Sequence, residues 1–138
     1  MITNGFTKKE RVHVESVITA LFAKGNFSLY APPFRFSWVI LEPTSVACQI
    51  LVVSSKKKLK SSVDRNRQKR QLRELYRLHK NELTEPLKQL KLSIALSVIY
   101  TGIESLQVVK HTPYFIKALH KIAIAIQKDH KLSIHSAH

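Results

Sequence analysis

The chain has 138 residues, 44% hydrophobic and 23% charged, which fits one compact domain that needs no disulfide or structural metal. Lys and Arg number 23 against 9 acids, and a net charge of +14 repels itself unless a polyanion meets it. The longest apolar-rich stretches, such as residues 93–100, fall far below the roughly 20 residues of a membrane-spanning helix. Residues 1–10 hold no apolar run after their charges, so neither a signal peptide nor a membrane partner is expected, and the cytoplasm is the expected location. A single cysteine, Cys48, excludes an internal disulfide and a Cys-built zinc site.

In chain order, Thr7 to Glu10 has the form of a capping box. Val14, Val17, Ile18, Leu21 and Phe22 then share one face of a helix predicted over residues 14–24, with Gly25 as its stop. Pro32 and Pro33 force an extended entry into a strand over residues 34–41. There Phe34, Phe36, Trp38 and Ile40 alternate with Arg35, Ser37, Val39 and Leu41. A second strand, residues 46–53, is apolar on both faces, which suggests a central place in the sheet. A third follows Glu85-Pro86, over residues 92–100. Thr112-Pro113 reads as an N-cap and first helical position, opening a helix through Phe115, Leu119, Ile122 and Ile126 to about Lys128. Residues 1–129 are thus expected to form one α/β sandwich domain, and residues 130–138, with His130, His135 and His138, a disordered tail. The order of elements implies an α+β fold in two layers, a sheet carrying helices.

Residues 56–80 differ from the rest. They hold Lys56, Lys57, Lys58, Lys60, Arg65, Arg67, Lys69, Arg70, Arg73, Arg77 and Lys80 against only Asp64 and Glu74. On a helical wheel over residues 62–80, Gln68, Leu72, Leu75, Tyr76 and His79 make a docking stripe. Lys69, Arg70, Arg73, Arg77 and Lys80 share a neighbouring arc of about 100°, with Asn66 among them. Arg67 lies further round, and Arg65 at the apolar edge, where a carbonyl or carboxylate partner is required. Most charge runs are solvated faces, but those intersperse Glu with Lys, because like charges at i, i+4 destabilise a helix. Arginine also suits bidentate phosphate contacts. The segment therefore points to nucleic acid. It is no phosphate-binding loop, since Gly5, Gly25 and Gly102 all lie elsewhere.

No catalytic or metal-binding constellation stands out. The nine acids are scattered, and His111 and His120 lack the i, i+4 spacing of helical ligands. Cys48, within an apolar strand, reads as an inert core residue.

The run from Ser54 to Arg77 resembles the signature of the bacterial ribonuclease P protein family. A strand ends in a basic loop, followed by Arg65-Asn66-Arg67, Lys69-Arg70, Arg73-Glu74 and the Tyr76-Arg77 pair. Residues 6–12, and Val17-Ile18 with Leu21-Phe22 and Gly25, resemble the family's opening segment and first helix. The resemblance implies an α/β sandwich with a left-handed βαβ crossover. It further implies an accessory subunit of a ribonucleoprotein whose RNA subunit, using Mg²⁺, removes 5′ leaders from precursor tRNA. The protein itself would bind no cofactor. Lys56, Lys57, Lys58, Lys60, Arg65, Asn66, Arg67, Lys69, Arg70, Arg73 and Arg77 would contact the catalytic RNA. A cleft between sheet and first helix would hold the single-stranded leader, with Ile18, Phe22, Phe34, Phe36 and Trp38 as candidate walls. Strand parity leaves open which face carries the cleft. The alternative is a ribosomal or other structural RNA-binding protein, which the fold alone does not distinguish.

Overall fold

The computed structural model describes residues 10–12, 14–23, 27–55 and 58–136, with side chains as far as Asp129. The elements are α1 (Glu15–Leu21), β1 (Phe27–Ala31), β2 (Phe34–Leu41), β3 (Cys48–Val53), α2 (Ser62–His79), α3 (Asn81–Leu90), β4 (Ser93–Tyr100) and α4 (Val108–Ser136). The strands form one sheet in the order β1-β2-β4-β3. β1 and β2 are an antiparallel hairpin in which Ala31 faces Phe34 and Phe27 faces Trp38. Pro32 and Pro33 carry no N–H to extend the ladder, so they turn the chain instead of merely leading into β2.

β2 and β4 are the inner strands, and β4 runs antiparallel to β2 and parallel to β3. That corrects the central place expected for the 46–53 strand, which is an edge. Its two apolar faces reflect layers above and below it, and lateral position is a separate matter. Ile50 packs under α2 to α4, while Leu51 packs on the α1 side. Its outer edge is partly covered where the Val12 N–H donates to the Ile50 carbonyl at 3.1 Å. Parallel neighbours need a long connection, and α2 with α3 supplies it.

Alternation along β2 sends Phe34, Phe36 and Trp38 to the face covered by α2, α3 and α4. They meet Leu72, Leu75 and Tyr76 of α2 and Phe115, Leu119 and Ile122 of α4 in the main core. Phe34 and Phe115 pack edge to face, centroids 5.3 Å apart. On the opposite face α1 covers only a small cluster of Val12, Leu21 and Ala95, flanked by Val17, Ile18, Val39, Leu41 and Leu51.

Three helices differ from expectation. α1 is shorter than residues 14–24, while the capping box at Thr7 and the stop at Gly25 lie outside the described residues. α3, a helix the sequence reading does not name, forms across Pro86. Proline removes one intrahelical bond there, but Leu83 and Leu87 are buried one turn apart. The helix then closes on Lys91 in the left-handed conformation, with the Leu92 N–H donating to the Leu87 carbonyl at 3.0 Å. α4 starts at Val108, so Thr112 is no N-cap; its hydroxyl donates back to the Val108 carbonyl at 2.7 Å. A ring nitrogen of His111 lies 3.0 Å from the Gln107 backbone N–H at that helix start. The backbone of α4 is helical to Ser136, past the end expected at about Lys128.

Candidate RNA interface

α2 begins on Ser61, whose hydroxyl accepts the Asp64 N–H at 3.5 Å. Asp64 in the first turn faces the positive end of the helix. The loop before it is pinned from two sides. Arg65 Nη1 donates to the carbonyls of Leu59 at 2.9 Å and Lys60 at 2.8 Å. Lys58 Nζ donates to the Thr101 carbonyl at the end of β4, at 3.0 Å. Arg65 thus has the carbonyl partners that its place at the apolar edge demands, and it shapes the loop.

The other candidates divide by exposure. Lys60, Asn66, Arg67 and Arg70 are exposed; Lys69 and Arg73 are half-buried. Partial burial, then the neighbouring Arg11 charge, lowers the Arg73 pKa, so two guanidiniums approach each other beside β3. Arg77 Nε donates to Glu74 Oε2 at 3.1 Å, and that bond holds the Glu74 carboxyl below its ordinary range. Lys80 leaves the basic arc. It is buried, with Nζ 2.8 Å from Glu10 Oε2, a pair that ties the N-terminal segment to the end of α2. Lys56 and Lys57 lie outside the described residues. The buried face of α2 is the expected stripe, with Leu72, Leu75 and Tyr76 fully enclosed and Gln68 accepting from Ser54 Oγ at 3.1 Å.

A cleft of about 410 Å³ opens on the α1 face of the sheet, between the end of α1 and the strands. Phe22, 60% exposed, forms one wall, and Tyr30, 56% exposed, stands on β1. The Arg35 guanidinium carbon lies 5.1 Å from the Tyr30 ring centroid, so cation and ring present a joint platform. Ser37 hydrogen-bonds Ser97 on the floor and donates to the Leu21 carbonyl at 3.0 Å, fixing α1 to the sheet.

Of the five expected wall residues, Phe22 and Phe36 border this cleft, and only Phe22 is exposed there. Ile18, on α1, is partly buried against the small cluster beneath that helix. Phe34, Phe36 and Trp38 belong to the core; Trp38 is 3% exposed and stacks on Phe27 at 6.0 Å. The physical reason is area: three helices with wide apolar stripes require the large aromatic face, which leaves Arg35 and Ser37 for the cleft. Tyr30 and Arg35 were missed, although the polar half of the β2 alternation was a signal for Arg35.

Elsewhere, burial pushes the Cys48 thiol up to about 12, so it is a neutral core group. Among the described residues no three His, Cys, Asp or Glu side chains gather as a metal site, and no helix is long and apolar enough to cross a membrane.

An arginine-rich helix beside one edge strand, and an aromatic cleft on the far face of the same sheet, define a small, basic, α+β RNA-binding protein. The chain matches the family described as Ribonuclease P over residues 6–128. It is 36% identical over 101 residues to the ribonuclease P protein component of Porphyromonas gingivalis strain W83, covering 70% of this chain and 72% of that one. Its counterpart in Chlorobaculum tepidum is 34% identical over 90 residues, 62% of this chain and 57% of that one. In fold it is similar to the RNase P protein of Staphylococcus aureus, with TM-score 0.61, 20% identity and coverage of 83% and 94%. The Thermotoga maritima protein gives TM-score 0.62, 18% identity and coverage of 81% and 96%. This chain belongs to the ribonuclease P protein family, whose name places it with an endoribonuclease of tRNA processing.

Proposed function

We propose that this chain is the accessory subunit that binds the catalytic RNA of ribonuclease P and the 5′ leader of precursor tRNA. The observation that carries this reading is the exposed Asn66, Arg67 and Arg70 set on α2, directly after a loop that Arg65 holds in shape. Planar guanidiniums there reach phosphates bidentately, and the half-buried Lys69 and Arg73 supply further positive charge at the same edge. The cleft suits the single-stranded leader: Phe22 and Tyr30 offer stacking faces, while Arg35 meets the backbone. Hydrolysis belongs to the RNA subunit with Mg²⁺, and the protein acts by neutralising and positioning phosphates. The expected location is the cytoplasm.

The test is leader cleavage of a precursor tRNA at low Mg²⁺, with a bacterial ribonuclease P RNA, with and without the protein. Strong stimulation only when both are present supports the accessory-subunit reading. Tight RNA binding without stimulation would replace it with a structural RNA-binding role.

A further inference from the structure

α4 carries a second basic surface. At 100° per residue, Lys110, Lys117, Lys121 and Lys128 fall within an arc of about 40°. All four are exposed, on the side away from the buried Phe115, Leu119, Ile122 and Ile126. Lys110 is paired with Glu104, whereas Lys117, Lys121 and Lys128 form no ion pair among the described residues. Those three run along about 16 Å of helix. Asp129, the one acid of α4, lies about 100° from Lys128.

A face that merely keeps the protein in solution would alternate signs, since Lys117 and Lys121 at i, i+4 repel. In a chain of +14 that repulsion is worse. An anionic lipid surface is a poor partner, because an interfacial helix needs a free apolar face and α4 has buried its own in the core. Lysines are point charges on flexible stems, suited to phosphates and indifferent to base edges. Single-stranded RNA would require stacking rings along the track, and the stripe has only Tyr114 at one end. The remaining fit is the sugar-phosphate backbone of base-paired RNA.

Position separates this surface from the one on α2. Arg73 lies beside Arg11 at the β3 edge, while α4 reaches over to β1 at the other end of the sheet. We propose that Lys117, Lys121 and Lys128 form a second contact surface for the phosphate backbone of a base-paired RNA segment, so that the protein braces two parts of one folded RNA. The proposal rests on the reading of the chain as a ribonuclease P RNA binder.

The experiment is salt-dependent binding of the full chain to a bacterial ribonuclease P RNA, with folding of each variant checked by thermal melting. Lys117→Ala/Lys121→Ala/Lys128→Ala should make the slope of log affinity against log salt shallower by about 2 to 3. Lys88→Glu/Gln89→Glu lowers the net charge by the same three units on the exposed side of α3 and should leave the slope near that of the wild type. Arg67→Ala/Arg70→Ala should also flatten it. A stripe variant no shallower than the α3 control, beside a flattened α2 variant, overturns the proposal and leaves the ribonuclease P reading intact. Unchanged slopes in the stripe and α2 variants alike overturn both. An unchanged RNA slope with lost binding to phosphatidylserine vesicles would make the stripe a membrane contact and also overturn the proposal.

Discussion

Three arginines within six positions of α2 do different work. Arg65 spends its fork on the Leu59 and Lys60 carbonyls, whereas Arg67 and Arg70 point to solvent. Removing Arg65 should therefore disturb the loop: Arg65→Ala is expected to lower stability by about 1.5 to 3 kcal/mol, the range of hydrogen bonds to a charged group. Arg67→Ala and Arg70→Ala should stay within about 0.5 kcal/mol of the wild type in urea denaturation. Each should still flatten the salt dependence of RNA binding by about one unit. A large loss of stability in either would mean that the exposed arginines brace the fold. Cys48 gives a pH-dependent counterpart. Its thiol titrates near 9.0 when unfolded and near 12 in the core, because burial disfavours the thiolate. The raised folded value means that its contribution to stability is complete below pH 9 and is lost as pH rises towards 12. Over that window Cys48→Ala should lose less stability than the wild type, as urea midpoints at successive pH values would show. Parallel curves would contradict the buried thiol.

Elements were readable where pattern and composition agreed. Leu72, Leu75 and Tyr76 at helical spacing fixed the buried side of α2, and the cations beside them marked its exposed side. The even positions of β2 announced a packed face, yet parity does not say which face lies under three helices and which under one. Phe34, Phe36 and Trp38 were therefore open candidates for the cleft until the helical layer claimed them, and Tyr30 with Arg35 went unseen. β1 was illegible because five residues before a Pro-Pro pair give too short an alternation. α3 was hidden by Pro86, a local penalty that packing of Leu83 and Leu87 overrides. That override can be measured. Pro86→Ala restores a backbone donor within the second turn of α3, at the expense of a freer unfolded chain. The balance predicts a gain of about 1 to 2 kcal/mol in chemical denaturation. A loss would show that the pyrrolidine ring itself packs against the core.

At the scale of the molecule, charge links stability to binding with opposite signs. The free protein carries +14 on 138 residues, and its described ion pairs neutralise few of those cations. Much of the remaining charge sits on α2 and along α4, so the compact state repels itself. Added salt screens that repulsion over a Debye length of about 8 to 10 Å at physiological strength. The same salt opposes RNA binding, because each neutralised phosphate releases counterions into a more concentrated bath. Raising salt from 50 to 200 mM should therefore increase the melting temperature of the free protein. If about 6 to 10 phosphates are contacted across α2 and α4, the same step should weaken RNA affinity by about 10³ to 10⁵. Melting curves and filter binding over one salt series measure both quantities on the same sample. A melting temperature that fell with salt would mean that attractive pairs such as Lys80 with Glu10 outweigh the repulsion. The positive charge would then be a structural part of the free fold, and RNA would not be needed to relieve it.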